Sequence, residues 1–272
     1  MITSTPTRSA TNPDEQLVAE LAGLRTTAPE TLRFGALVRA GLADEYAATD
    51  SPLGPAFVAW NGRGVSWIGA AGDPAEFEAR VRAHTGRPIA QATALPAKLR
   101  LAIERRLAGD RRARIELDLR GATAFEVAVW RKALEIPRGE VRPYGWIAAE
   151  IGRPKAVRAV GTALAHNPIP LVVPCHRVVR SDGMIGRYSL GGPENKRRIL
   201  AAEGLDPDAL EAAAGAGIRF LGSDTTHIVC LPTCQHARRI SAGHRVPFSS
   251  LGAARAAGYR PCRRCRPVSL AA

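Results

Sequence analysis

All five cysteines of this 272-residue chain fall in its last hundred positions, and their spacing limits what the chain can fold into more than any other feature. Four form two close pairs, Cys230-Leu-Pro-Thr-Cys234 and Cys262-Arg-Arg-Cys265, with 27 residues between them. Two short knuckles across a longer loop point to four thiolates around one tetrahedral ion, with zinc the expected metal. The tail that holds them has little apolar mass, and a segment of about 55 residues needs such a staple to stay folded. His227, His236 and His244 lie nearby but are read as non-ligands, because four sulfurs already fill the shell. The fifth cysteine, Cys175, ends the apolar run Leu171-Val172-Val173-Pro174 and is followed by His176-Arg177. A thiol beside a base or a positive charge is a candidate nucleophile, although a cysteine closing an apolar run is more often structural.

The formal net charge of +13 is uneven. Residues 121–206 carry 13 Lys and Arg against 8 Asp and Glu, and residues 217–272 carry 9 against 1, so the two cysteine-bearing segments hold the excess. A basic surface gathers phosphate by releasing counterions, and would equally attract an acidic protein or membrane. No apolar run approaches the roughly 18 residues needed to span a bilayer, so no membrane association is expected. The opening residues, rich in Ser, Thr and Pro, lack the basic start and apolar stretch of a secretory signal. A cytoplasmic, bacterial-type setting with reduced thiols is therefore expected.

Residues 1–33 read as a loosely ordered lead with one short helix around 14–24. Residues 34–120 read as a small α/β domain. Ala56-Phe57-Val58-Ala59-Trp60 and Val65-Ser66-Trp67-Ile68 flank an Asn61-Gly62 turn as a β-hairpin, two helices follow near 74–84 and 96–108, and Ile115-Glu116-Leu117-Asp118-Leu119 alternates like a strand. Residues 121–204 are helical in texture. A helix over 124–134 precedes one over 144–151, a Gly152-Arg153-Pro154 break and a basic helix over 155–166, the outline of a helix-turn-helix and equally of an ordinary helical hairpin. A last helix covers 196–203, residues 205–217 read as a linker, and 218–272 is the cysteine-rich tail.

Residues 125–204 closely resemble the O6-alkylguanine-DNA alkyltransferases, also called methylated-DNA-protein-cysteine methyltransferases. Phe125, Arg142-Pro143-Tyr144, Arg158-Ala159-Val160-Gly161, Asn167-Pro168-Ile169-Pro170 and Pro174-Cys175-His176-Arg177-Val178-Val179 arrive in the family's order. The preceding α/β region resembles the family's N-terminal domain at the level of pattern only. The resemblance implies a ribonuclease H-like N-terminal fold, a winged-helix-like acceptor domain, and a monomer that acts on double-stranded DNA without an organic cofactor. It implies that Cys175 takes the alkyl group of O6-alkylguanine, with O4-alkylthymine a second candidate lesion, irreversibly and once per molecule. His176 and Glu203 match the relay partners for the thiol proton, the histidine taking it through a water and the carboxylate fixing the imidazole. Tyr144 matches the residue that positions the lesion and protonates the departing guanine, and Asn167 the residue that organises the turn beneath the nucleophile. Arg158 matches the arginine that fills the gap left by the flipped base, and Ser189, in Gly186-Arg187-Tyr188-Ser189, a donor at the pocket rim. Pro170, Val172 and Tyr188 are expected to wall that pocket. Base flipping itself is a physical necessity, since a thiol cannot reach O6 inside a stacked duplex.

The tail resembles the metal-binding domain of Ada, the bacterial adaptive-response protein, down to Gly258-Tyr259-Arg260-Pro261-Cys262-Arg263-Arg264-Cys265-Arg266-Pro267. That resemblance matches Cys230 to a zinc cysteine that also accepts methyl from phosphotriesters. Val229 and Leu231 depart from the Ada pattern, so a purely structural site is the equal reading. The competing functional classes are a non-catalytic sensor of alkylated DNA, against which Cys175 itself argues, and a thiol hydrolase using Cys175 and His176.

Overall fold

The computed structural model describes residues 29–269 and Val18; the short helix expected around 14–24 lies, Val18 apart, outside them. Helix α1 (Glu30–Ala40) begins inside the stretch read as a lead and is closed by Gly41 in the left-handed region, whose amide caps the carbonyls of Leu37 and Val38. A four-stranded sheet follows, in the order β3-β2-β1-β4, from β1 (Asp44–Thr49), β2 (Ala56–Asn61), β3 (Gly64–Ala70) and β4 (Ile89–Gln91). The hairpin β2–β3 is the one that the Asn-Gly signal predicts. Gly62 is required there because a Cβ would stand 2.0 Å from the carbonyl oxygen of Arg39.

Every residue of β2 is buried, so the sheet is covered on both faces. Phe57 and Ala59 point toward Tyr46, Phe77 and Val81, the last two supplied by α2 (Pro74–Thr85). Ala56, Val58 and Trp60, on the alternate face, join the main core that continues into the helical region through Val129, Trp130 and Ile147. After α3 (Ala97–Leu107) the alternating stretch 115–119 makes only one bridge, Val65 to Leu117, in place of the expected strand. The free edge of β3 is shared between two segments. Val65 N bonds Glu116 O at 2.9 Å, but Ile68 N is already taken by Pro168 O at 2.8 Å, so the ladder cannot extend.

Helix α4 (Ala124–Ala133) starts at a capping box made by Thr123 and Glu126. It packs on α6 (Val157–Ala165), where the Trp130 indole donates to the carbonyl of Ala163 at 2.7 Å. Between them lies α5 (Tyr144–Glu150), separated from α6 by a turn in which Gly152 has φ 71°. Strand β5 (Arg142–Pro143) leads into α5 and pairs in parallel with β6 (Val178–Val179), the two residues that follow the turn Cys175–Arg177. Helix α7 (Gly192–Ala202) completes this part.

The stretch 205–217, expected as a linker, instead forms helix α8 (Pro207–Gly215). Its own residues explain it: Asp206 caps the amides of Asp208 and Ala209, Pro207 opens the first turn, and Ala-rich sequence continues it. Arg197 of α7 holds it through Asp208 and Glu211. The tail is a sheet of order β10-β8-β7-β9, from β7 (Phe220–Ser223), β8 (Ile228–Cys230), β9 (Arg245–Phe248) and β10 (Arg260–Pro261), with helices α9 (Gln235–Arg238) and α10 (Leu251–Ala256). No helix among the described residues is long and apolar enough to cross a membrane.

Candidate active site and metal centre

Cys175 is delivered by a tight, proline-framed loop. The side chain of Asn167 organises it at three points: Oδ1 accepts from Ile169 N at 3.0 Å, while Nδ2 donates to Val173 O at 3.0 Å and to Cys175 Sγ at 3.2 Å. Leu171 is held at φ 73°, a conformation that costs a non-glycine residue about 1 kcal/mol or more. The Val173 N to Ile169 O bond across that kink, at 2.9 Å, and the buried Leu171 side chain offset the cost. Cys175 is left 5 % exposed at the floor of a cavity of about 340 Å³. Tyr144, Gly161, Leu164, Ala165, Arg187, Tyr188 and Ser189 form the rest of its lining, a volume in the range of small-ligand sites. Burial raises the Cys175 thiol pKa, and the hydrogen bond from Asn167, the charge of Lys196 and the hydroxyl of Ser189 act against that rise. Burial also raises Tyr144, which therefore keeps its proton across the neutral range, and the Tyr188 hydroxyl is buried with no hydrogen-bond partner.

Behind the cysteine, His176 and Glu203 meet. The imidazole Nε2 lies 3.0 Å from Glu203 Oε1, and Nδ1 is buried and unpartnered. Burial holds the His176 pKa below its usual value despite the carboxylate, so the ring is neutral and able to take a proton. Arg177 completes the group, its Nε and Nη2 donating to Glu203 at 2.9 and 2.7 Å and its Nη1 to the carbonyl of Ile136 at 2.7 Å. Burial alone would raise Glu203, but the hydrogen bonds of His176 and Arg177, the charge of Arg177 and, once acid protonates the ring, that of His176 hold its pKa down at about 2. Lys196 is fully buried, with Nζ donating to the carbonyls of Val178 and Arg187 at 2.5 and 3.3 Å, and burial lowers its pKa to about 8.

The structure thus brings Cys175, Tyr144 and Ser189 to one cavity, with Asn167 hydrogen-bonded to the cysteine from outside its lining and His176 and Glu203 paired behind it. Arg158 is exposed on α6, one turn before Gly161 on the same face, and has no ionic or hydrogen-bonded side-chain partner among the described residues. Two expected wall residues are elsewhere. Val172 is packed in the core, and Pro170 lines an adjoining groove with Trp67, His84 and His166, because the Leu171 kink turns the chain away between them. The sequence marks Arg177 only as a charge beside the thiol, not as the partner of Glu203, and it does not mark Lys196. Lys196 could have been marked, since it stands three and four residues before Ile199 and Leu200, on the buried face of α7.

At the tail, the sulfurs of Cys230, Cys234, Cys262 and Cys265 all lie within 4.8 Å of one another and all four residues are buried. A tetrahedral thiolate site places sulfurs about 3.8 Å apart, so the residues fit one ion with little adjustment. His236 Nδ1 stands 3.6 Å from Cys262 Sγ, outside the four-sulfur group, as an outer partner.

Residues 124–205 match the family model described as the DNA-binding domain of 6-O-methylguanine DNA methyltransferase, and residues 211–268 match the metal binding domain of Ada. The methylated-DNA-protein-cysteine methyltransferase of Mycobacterium tuberculosis is 53 % identical over 89 residues, which is 33 % of this chain and 53 % of that protein. The protein of the same name from Rattus norvegicus is 47 % identical over 90 residues, 33 % of this chain and 43 % of its own length. The chain thus spans about half the length of the curated relatives it matches. A crystal structure of Mycobacterium tuberculosis OGT in complex with DNA is 36 % identical, covering 59 % of this chain and 93 % of that one with a TM-score of 0.49. Through residues 124–205 the chain belongs to the methylated-DNA-protein-cysteine methyltransferase family, and behind that segment it carries a metal-binding domain of the Ada type.

Proposed function

We propose that this protein repairs DNA by moving the alkyl group of O6-alkylguanine onto Cys175, once per molecule. The observation that carries this reading is the thiol at the floor of a base-sized cavity, hydrogen-bonded by Asn167 and backed by the buried His176–Glu203 pair. The sulfur attacks the carbon attached to O6, the S–C bond forms as the C–O bond breaks, and the electron pair passes to the guanine. The thiol proton goes toward His176, whose free Nδ1 is the available acceptor, while Glu203 fixes the ring and stabilises the imidazolium. Tyr144, still protonated, supplies a proton to the departing base. The proton held by His176 then returns through solvent to Tyr144, so that, net, the thiol gives its proton to the guanine and takes the alkyl group. The duplex must extrude the lesion at a cost of a few kcal/mol, and Arg158, exposed on α6, the helix that supplies Gly161 to the cavity lining, is the candidate to occupy the gap. Ser189 serves as a donor at the rim.

We read the chain as three units, 34–120, 121–204 and 218–272, joined by the helical 205–217. The element order supports a ribonuclease H-like first unit and a winged-helix-like second one. The protein is taken to act as a monomer on cytoplasmic DNA. Zinc is the ion best suited to the four thiolates, and it would supply a structural cross-link between the knuckles. Cys230 is 1 % exposed, which favours that structural role over a second alkyl acceptor facing a phosphate. Incubation with a duplex carrying both O6-methylguanine and a methyl phosphotriester, followed by peptide mass mapping, tests both assignments. One methyl mass on the Cys175 peptide, abolished in Cys175→Ala, and none on Cys230 is expected. Absence of methyl from Cys175 in reduced, zinc-loaded protein would overturn the main reading, and methyl on Cys230 would overturn the structural one.

A further inference from the structure

The metal knuckles do not stand apart from the acceptor site. Each grips one end of the segment 141–146, which carries Tyr144 into the cavity. From the first knuckle, Thr233 Oγ1 accepts from Val141 N at 2.9 Å and donates to Val141 O at 3.3 Å. From the second, the carbonyl of Cys265 accepts the Trp146 indole N–H at 2.9 Å, a donor that is buried and needs a partner. Charge closes the seam around these bonds. Buried Glu140 accepts from Gln235 N at 3.3 Å and faces Arg264 at 3.5 Å, and Arg266 pairs with Glu135 and Glu150 at 3.2 and 2.8 Å while lying over the Trp146 ring.

The other side of this segment, with Gly139 just ahead of it, touches the chemistry. Gly139 N donates to Glu203 Oε2 at 3.4 Å, β5 pairs with the strand that follows the Cys175 turn, and Tyr144 lines the cavity. We propose that the tail is a metal-set clamp on the acceptor site: an ion joining the two knuckles fixes the separation of Thr233 and Cys265, and thereby both ends of the segment that positions Tyr144. The tail touches no reacting atom and acts through Tyr144 and Glu203, so its residues are positioning residues. The functional half of this inference rests on Cys175 being the acceptor; the mechanical half does not.

The test uses the full chain, zinc-loaded or stripped with a chelator, and reads amide hydrogen exchange by mass spectrometry together with single-turnover methyl transfer at saturating O6-methylguanine DNA. Stripping is expected to raise exchange over 139–150 at least tenfold, leave strands β2 and β3 unchanged, and slow transfer at least tenfold. Thr233→Val, which leaves all four cysteines in place, is expected to raise exchange over 139–150 at least threefold at unchanged zinc content. That variant guards against general unfolding of the stripped chain. Exchange over 139–150 that ignores zinc removal, or a zinc-loaded Thr233→Val protein that exchanges like the parent, would overturn the clamp. Exchange that responds as expected in a protein that transfers no methyl even when loaded would leave the clamp standing and remove the Cys175 reading instead.

Discussion

Replacing Glu203 by glutamine keeps the shape of the side chain and removes its charge, so it isolates what the carboxylate does. Glu203 is 9 % exposed and accepts from Arg177 at 2.7 and 2.9 Å, with His176 at 3.0 Å. Its pKa of about 2 against an ordinary 4.5 corresponds to about 3 kcal/mol of stabilisation at neutral pH, at roughly 1.4 kcal/mol for each tenfold change. Breaking a buried ion pair by removing one partner costs about 3–5 kcal/mol, so the two routes agree. Because the folded pKa is depressed, this stability is fully present above pH 4.5 and is lost as pH falls toward 2. Urea unfolding of zinc-loaded Glu203→Gln at pH 7, followed by tryptophan fluorescence, should give a stability lower by about 3 kcal/mol with an unchanged urea slope. Repeated at lower pH, the gap from the parent protein should close between pH 4.5 and 2. Acid effects at Asp118, which shares no partner with Glu203, are common to both proteins and cancel in the difference. A gap under about 1 kcal/mol at pH 7, within the range of an exposed pair, or one that persists undiminished to pH 2, would refute this account of Glu203.

Asn167→Ala leaves Ile169 N without its acceptor, while Val173 O keeps the amide of Cys175 at 2.8 Å, and should destabilise the protein by about 1–3 kcal/mol. Since the Asn167 hydrogen bond opposes the burial-driven rise of the thiol pKa, the same variant should move the pH profile of Cys175 labelling by iodoacetamide upward, and an unmoved profile would count against that role. Arg158→Ala, at an exposed position without a partner among the described residues, should leave unfolding within about 0.5 kcal/mol of the parent. Its DNA affinity should nevertheless fall, which fluorescence anisotropy would read; equal affinity would remove Arg158 from the interface.

What the sequence announced correctly was governed by neighbours in the chain. The hairpin at Asn61-Gly62, the helix opened by Thr123 and Glu126, the turn at Gly152 and the two cysteine knuckles are each specified within a few residues. Helix α8 was equally legible in Asp206-Pro207, but its Gly and Ala content pulled the reading toward a linker. The stretch 115–119 failed for the opposite reason: its alternation is genuine, yet a strand needs a free edge, and Pro168 occupies part of the only one offered by β3. Pro170 and Val172 were assigned to one wall because they alternate in sequence, and a single left-handed residue between them sends them to different places.

By itself, then, the sequence determined the chemistry available: one thiol set in a proline-framed turn, four thiols at metal-ligand spacing, and an excess of positive charge around both. Tertiary structure alone decided which groups these thiols answer to. Arg177 reaches Glu203 across 26 residues, Thr233 reaches Val141 across 92, and Cys265 reaches Trp146 across 119. Such pairings have no local signature, because they arise where separately formed elements must bury polar groups together and each group left without a partner is penalised. Local chemistry made Cys175 a nucleophile candidate and the tail a candidate metal site, and burial against a shared segment joined the two.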